Sequence, residues 1–280
     1  MEIKELQKIA AQVRRDIIRM VHSAKSGHPG GSLGCADFLT ALYFEVMDID
    51  PEHFTREGNG EDMFFLSNGH TSPMFYSILA RRGYFPVSEL ATFRRLGTRL
   101  QGHPTTAEGL PGVRIASGSL GQGLSVAVGA AQAKKLNGDQ HIVYVLMGDG
   151  EQEEGQIWEA AMYAPAKGVD NLIAIIDYNK KQIDGPTDEV LSLGDLRAKY
   201  EAFGWYVLEM SGNNMQAVVN ILSLARENTH QGRPQLILAH TEMGMGVDFM
   251  MGTHKWHGTA PNDEQAAKAL SQLTETLGDY

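Results

Sequence analysis

The chain has 280 residues, of which 42% are hydrophobic, and this is enough to bury the core of a sizeable α/β domain. Its formal net charge of −10 argues against a nucleic-acid partner. It does not exclude a phosphorylated substrate, because the binding of such a substrate depends on the charges at the site itself. The single cysteine, Cys35, has no partner for an internal disulfide, and no apolar run resembles a signal peptide or a membrane span, so we expect a cytoplasmic protein.

The first half of the chain is predicted to alternate helices with loops rich in glycine. Apolar residues at helical spacing predict an amphipathic helix over residues 2–25. The elements predicted after it are a loop over 26–34, a helix over 36–47, a strand over 63–66, a helix over 73–82, a long loop over 97–118 and a helix over 120–136. Long loops in compact domains are often functional, which makes 97–118 a candidate for a binding segment.

The second half of the chain is predicted to alternate short apolar strands with helices. The predicted strands are 141–147, 172–177, 206–210 and 235–240; the predicted helices are 156–167, 215–228 and 263–277; and a glycine-rich loop covers 243–258. This alternation predicts an α/β fold, with an open, mostly parallel twisted sheet and helices on both faces. Because there is no repeat and no obvious linker, we expect one domain over residues 1–280.

Two polar side chains follow neighbouring strands of this predicted sheet. Asp149, in Gly148-Asp149-Gly150-Glu151, comes after strand 141–147, and Asn179 comes after strand 172–177. A βαβ unit brings the carboxyl ends of both strands to one edge of the sheet, where α/β proteins bind ligands. Either residue alone would be typical of a turn. Together they are suited to a hard divalent cation that holds a diphosphate.

Four of the ten histidines lie next to a glycine in predicted loops: His28, His70, His103 and His257. An isolated loop histidine is usually a surface residue, but four of them in glycine-rich loops leaving one sheet suggest a site. Imidazoles donate to phosphate oxygens and transfer protons near neutral pH. No histidine or cysteine spacing is typical of zinc. The remaining histidines lack this context and are interpreted as structural or exposed: His22, His53, His141, His230, His240 and His254.

These motifs together resemble those of the transketolases. The similar segments are Ser26-Gly27-His28-Pro29-Gly30, Asn68-Gly69-His70, Gly102-His103-Pro104, Gly118-Ser119-Leu120-Gly121-Gln122-Gly123, Gly148-Asp149-Gly150 with Asn179, and Trp256-His257-Gly258. Thiamin diphosphate enzymes in general share the metal motif, whereas the histidine loops are typical of transketolases. The similarity extends from about residue 10 to 260.

The resemblance implies thiamin diphosphate as the cofactor, with Mg²⁺, or Ca²⁺ or Mn²⁺ in its place. It implies metal ligands at Asp149, Asn179 and the carbonyl of Lys181, and cofactor contacts at His70, Gly118, Leu120, Gly150, Glu154, Asn179 and His257. It also implies that His28, His70, His103 and His257 face the substrate and move its protons. The resemblance also implies that Glu154 and Glu159 correspond to acidic residues at the interface between two cofactor sites. The alternative is that they are simply favourable at the start of a helix, where carboxylates interact well with the helix dipole.

Transketolases usually join three domains in one chain, and the resemblance covers the first. It therefore implies the N-terminal subunit of a split transketolase that transfers a two-carbon ketol unit between sugar phosphates. Its partner would be a C-terminal transketolase subunit carrying the pyrimidine-binding and C-terminal domains, in a homodimer or heterotetramer, with no nucleic acid or membrane involved. Two alternatives stay open: another thiamin enzyme, such as one similar to deoxyxylulose phosphate synthase or to a dehydrogenase, and a non-catalytic cofactor-binding partner.

Two departures from the family pattern concern the substrate more than the cofactor. Thr105 follows His103-Pro104 where many transketolases have an acidic residue. Methionines stand around Gly244 and Gly246 where lysines are frequent: Met243, Met245, Met250 and Met251. Methionine adapts to irregular contacts, so these residues are predicted either to pack the loop or to form a partner surface.

Overall fold

A fully parallel, five-stranded sheet forms the centre of the computed structural model, which describes residues 1–280. The strands are, in chain order, β1 (Met63–Leu66), β2 (Val143–Gly148), β3 (Leu172–Asp177), β4 (Lys181–Gln182), β5 (Gly185–Pro186), β6 (Tyr206–Ser211) and β7 (Gln235–His240). Their order in the sheet is β1-β2-β3-β7-β6, while β4 and β5 form a separate antiparallel hairpin. The predicted fold class is confirmed.

Helices cover both faces of the sheet. They are α1 (Ile3–Ala24), α2 (Pro29–Ala41), α3 (Ser72–Arg82), α4 (Gly123–Leu136), α5 (Gly155–Ala166), α6 (Thr187–Val190), α7 (Leu196–Phe203), α8 (Met215–Glu227) and α9 (Asp263–Gln272). Alternate residues of each strand point to opposite faces, so Tyr144 and Leu146 of β2 pack with α1, α2, α3 and α8. Val143, Val145 and Met147 pack with α4, α5 and α7. Burial on both sides explains why the strands are continuously apolar.

The direction of the chain across the sheet reverses between β3 and β7. The chain runs from β1 to β3, continues at the outer strand β6 and returns to β7. The helix α5, between β2 and β3, lies on one face, and α8, between β6 and β7, lies on the other, as right-handed crossovers require. The loops after β2, β3 and β7 therefore converge at the edge where such a reversal creates a crevice.

The boundaries of several helices differ from the prediction. The helix α2 begins at Pro29 rather than at residue 36, because proline is favourable at the first helical position and the glycines after it continue the helix. The predicted loop 26–34 is correspondingly shorter. The helix α4 begins at Gly123 rather than at 120, and α9 ends at Gln272 rather than at 277.

Three elements were not predicted: α6, α7 and the β4–β5 hairpin. A signal for α7 is present in the sequence, since the side chain of Asp195 accepts a hydrogen bond from the N–H of Ala198 at 2.9 Å and caps the helix. None of the helices combines the length and the apolar character that crossing a bilayer requires.

Candidate active site

Asp149 and Asn179 lie side by side at the carboxyl edge of the sheet. Strands β2 and β3 pair in register, with Gly148 opposite Asp177, so the residues that follow each strand are neighbours. The carboxylate of Asp149 accepts hydrogen bonds from the N–H groups of Gly150 (2.7 Å) and Lys180, and the side-chain oxygen of Asn179 accepts one from the N–H of Lys181 (2.9 Å). Asp149 and Asn179 line the same cavity, whose volume is about 210 Å³.

Two buried carboxylates, Asp149 and Asp177, lie below this cavity, and neither forms an ion pair. Asp149 is 2% exposed and forms no ion pair; burial, and then the charge of Asp177, raises its pKa to about 7. Burial also raises the pKa of Asp177, which accepts hydrogen bonds from Thr241 and, at 2.7 Å, from Asn179. A divalent cation would add positive charge beside Asp149, and carboxylate and amide oxygens are the ligands that a hard cation prefers. The residues present therefore fit a metal ion.

Most of the predicted metal and cofactor residues line this cavity: His70, Leu120, Asp149, Gly150, Glu154, Asn179, Lys181 and His257. Gly118 is the exception. Its backbone adopts a φ of 144°, and a Cβ there would lie 3.3 Å from the ring of His103, so Gly118 borders the histidines instead. Glu159 is an exposed residue of α5 and does not line the cavity.

The four loop histidines converge beside the cavity. The ring of His28 lies 5.3 Å from that of His70, 5.6 Å from that of His257 and 6.0 Å from that of His103, measured between centroids. The rings of His70 and His257 are 5.0 Å apart. Four loops that are distant in sequence thus bring their imidazoles into one cluster.

All four imidazoles are held in the neutral form. Burial is the main cause: it lowers the pKa of His28 to about 4, that of His70 well below its ordinary value, and the pKa values of His103 and His257 as well. The Nδ1 atoms of His28 and His257 are buried without a hydrogen-bond partner. A neutral imidazole provides one N–H donor and one basic nitrogen, so the cluster can both donate and accept protons.

Glu151 is a site residue that the sequence did not reveal, because it looked like part of an acidic helix start. It is 2% exposed, and its carboxylate accepts hydrogen bonds from the N–H groups of Gly121 (2.8 Å) and Gly148 (2.9 Å) and from the hydroxyl of Ser67. It thereby ties the loop before α4 to the end of β2. Two of its three partners in these contacts, Ser67 and Gly121, are distant in sequence, so the local sequence around Glu151 carries no signal for them.

His254, which the sequence analysis interprets as structural or exposed, lies beside His257. Both line a groove that also contains Lys255 and Ile183. Ile183 and His257 border the cofactor cavity too, so the groove and the cavity are neighbours. The other five histidines without a glycine neighbour do not line either space.

The fold and the order of these loops match known proteins. A family model described as transketolase, thiamine diphosphate binding domain, matches residues 6–276. The chain belongs to the transketolase family. This family assignment agrees with the geometry, since the matched segment contains every loop that reaches the cavity and the histidine cluster.

Two relatives within the transketolase family match this chain over almost the whole length of both proteins. The first is one of the subunits of an apulose-4-phosphate transketolase from Phocaeicola vulgatus; it is 40% identical over 277 residues, which cover 99% of this chain and 96% of the relative. The 6-deoxy-6-sulfo-D-fructose transketolase subunit SqwG of Clostridium sp. is 40% identical over 270 residues, which cover 96% of each. Among solved structures, the transketolase from Leishmania mexicana is 30% identical with a TM-score of 0.89, and the match covers 98% of this chain and 42% of that one.

Two of the methionines around Gly244 and Gly246 are packing residues. Met243 and Met250 are fully buried, and Met243 lies so close to Gly30 that a Cβ there would be 2.7 Å from its Cγ. Met251, in contrast, is 37% exposed. The loop after β7 is thus anchored to the start of α2, next to His28.

Proposed function

We propose that this chain is the N-terminal, thiamin diphosphate-binding subunit of a two-subunit transketolase, which transfers a two-carbon ketol unit from a ketose phosphate to an aldose phosphate. The observation that carries the proposal is the cluster of four neutral imidazoles beside the cavity of Asp149 and Asn179. The names of the two relatives support a substrate that is a sugar with an anionic group.

Thiamin diphosphate, when bound, supplies the electron sink that stabilises the carbanion of ketol transfer. The proposed metal ligands for Mg²⁺, Ca²⁺ or Mn²⁺ are Asp149, Asn179 and the carbonyl of Lys181. The proposed cofactor contacts are His70, Gly118, Leu120, Gly150, Glu154, Asn179 and His257. Glycine at 150 matters for a close approach, since a Cβ there would already lie 3.3 Å from the side chain of Gln182.

The proposed role of the histidine cluster is to bind the sugar and to move its protons. Because His28, His70, His103 and His257 are neutral at pH 7, each has a basic nitrogen to accept a proton from a hydroxyl. The opposite N–H of each ring donates to a carbonyl or hydroxyl oxygen. Ring separations of 5.0–6.0 Å allow one small sugar to contact several rings at once.

We further propose that residues 1–280 form one diphosphate-binding domain and that the pyrimidine-binding and C-terminal domains belong to a partner chain. Exposed apolar side chains, one of them at the cavity and two others on α5, support a partner that covers this part of the molecule. Ile183, which lines the cavity, is 60% exposed, and Met162 and Tyr163 on α5 are 57% and 43% exposed. The assembly would be a heterotetramer built on a two-fold dimer.

Reconstitution with a pyrimidine-domain subunit tests this function. The mixture, supplied with thiamin diphosphate and Mg²⁺, should transfer a ketol unit from ketose phosphates to aldoses. Turnover of pyruvate instead would favour a different thiamin enzyme. Cofactor binding without turnover of either substrate class would favour a non-catalytic role.

A further inference from the structure

Arg94 lies behind the histidine cluster, and the proposed function gives it no role. It stands in the irregular segment between α3 and α4, with a backbone φ of 58°, a conformation that residues other than glycine rarely adopt. Its N–H donates to the carbonyl of Leu100 at 2.9 Å. Its guanidinium is partly buried, pairs with no carboxylate, and has an Nε atom that is buried without a partner. An arginine in this state is unusual, because buried charges are normally paired.

The guanidinium of Arg94 joins the loops that carry His28 and His103. One nitrogen donates to the hydroxyl of Ser26 at 2.8 Å, and another lies 3.4 Å from the carbonyl oxygen of Gly102. The guanidinium also packs on the α-carbon of Gly102, where a Cβ would lie 2.7 Å from its central carbon. The absence of a side chain at Gly102 therefore leaves room for the guanidinium of Arg94. Its two partners are close in sequence to the histidines, since Ser26 lies two residues before His28 and Gly102 immediately precedes His103.

We propose that Arg94 is a positioning residue for His28 and His103. It fixes the separation of the two imidazoles, whose centroids are 6.0 Å apart, and it places a permanent positive charge behind both rings. This inference rests on the proposed proton-transfer role of the two histidines. It does not depend on which sugar is the substrate.

The charge of Arg94 opposes protonation of both rings. It lowers the pKa of His103 as the second cause after burial, and it contributes to the low pKa of His28 after burial and His257. The other titratable groups that face His28 are His70, His103 and His257.

Nothing beside Arg94 neutralises this charge. Tyr76 is near it, but burial raises the pKa of this phenol and its hydroxyl donates to the carbonyl of Gln101 at 2.8 Å, so it stays uncharged. Guanidinium groups remain protonated in proteins. Arg94 therefore acts as a fixed cation at every pH at which the enzyme works.

Titration of the imidazole C–H signals by NMR tests this proposal on the full 280-residue chain without substrate. Arg94→Met, which removes the charge, should raise the pKa of His103 and of His28, because the positive charge of Arg94 opposes protonation of both rings. Arg94→Lys, which keeps a positive charge, should leave both close to the parent values. Arg95→Met is the matched control, since Arg95 is the exposed neighbour with no side-chain hydrogen bond, and it should change neither.

The reconstituted enzyme gives the second readout. Arg94→Met should move the acid limb of the kcat/KM profile to higher pH, because a histidine with a raised pKa is protonated earlier as the pH falls. Arg94→Lys should keep the acid limb and lower kcat, because an ammonium group does not reproduce the contacts with Ser26 and Gly102. Affinity for thiamin diphosphate should be unchanged in both variants.

Two results would overturn the proposal: unchanged histidine pKa values in Arg94→Met, or equal shifts in Arg94→Met and Arg95→Met. If Arg94→Met does not fold, as judged by circular dichroism, Arg94→Gln replaces it with the same expected shift. Unchanged turnover in His103→Ala would instead remove the proposed function of the histidines, while the NMR titration would still decide whether Arg94 controls their protonation.

Discussion

At the residue scale, the candidate site is characterised by groups that are buried without the partners they need. Asp149 has hydrogen bonds but forms no ion pair, and the Nδ1 atoms of His28 and His257 have no hydrogen-bond partner. Burial without compensation costs stability, so such groups usually persist where a ligand completes them. The proposed metal and cofactor would provide partners for these buried groups.

The metal role of Asp149 leads to the first prediction. Asp149→Asn keeps the size of the side chain and removes the charge, so the chain should fold but lose metal-dependent binding of thiamin diphosphate. Isothermal titration calorimetry with and without Mg²⁺ measures this. Glu189→Gln, an exposed change in α6, is the control and should bind as the parent does. Parental affinity in Asp149→Asn would rule out Asp149 as the metal ligand.

The second prediction concerns the proton-transfer role of His103. His103→Ala should lower kcat of the reconstituted enzyme by roughly 10²–10⁴, the usual effect of losing a general acid or base. Affinity for the cofactor should hardly change, because His103 does not line the cavity of Asp149 and Asn179. His53→Ala serves as the control, since His53 is exposed and bonds Asp50 far from the site. An unaltered kcat in His103→Ala would contradict the role.

At the scale of elements, the sequence predicted the parts of the site that are local and missed those that arise from contacts between distant segments. The apolar runs of β2 and β3 were sufficient to place Asp149 and Asn179 at one edge. Glu151 and Arg94 could not be predicted, since their importance comes from burial against other loops. The shorter loop before α2 was missed because glycines suggested a loop, whereas packing against Met243 favours a helix there.

The start of α4 provides the third prediction. A Cβ on Gly123 would lie 2.3 Å from the Cβ of Ser67 and 2.9 Å from its Cα, and the N–H of Gly123 donates to the hydroxyl of Ser67 at 3.0 Å. Gly123→Ala must therefore displace the segment after β1, and we expect a loss of about 1–3 kcal/mol in the free energy of unfolding, as for other overpacked sites. Denaturation by urea measures it.

Gly129→Ala in the same helix is the matched control for this prediction. Gly129 is exposed and a Cβ there would meet nothing within 4 Å. Alanine should stabilise the helix by about 0.5–1 kcal/mol, because it has less conformational freedom to lose on folding. Equal effects of the two substitutions would contradict the proposed close packing of α4 against Ser67.

At the scale of the whole molecule, the sheet brings the loops of one edge together and leaves that edge accessible. The cavity and the neighbouring groove are bordered by the exposed side chain of Ile183, and α5 carries further exposed apolar side chains. The transketolase from Leishmania mexicana has more than this chain's length beyond the matched region. The proposed partner would cover this edge, so the site would be complete only in the assembly.

Thermodynamic linkage between cofactor binding and subunit association gives the fourth prediction. If both subunits contact the same cofactor, thiamin diphosphate with Mg²⁺ should increase their affinity for each other, because each ligand that prefers the complex stabilises it. Sedimentation or calorimetry on the mixed subunits measures this increase. Asp149→Asn should abolish it, while Glu189→Gln should retain it.

A transketolase assay on the purified 280-residue chain, first alone and then with the pyrimidine-domain subunit, tests the central claim most directly. With thiamin diphosphate and Mg²⁺ present in both cases, we expect no ketol transfer from the chain alone and restored transfer when the partner is added. Full activity of the chain alone would contradict a site that two subunits share.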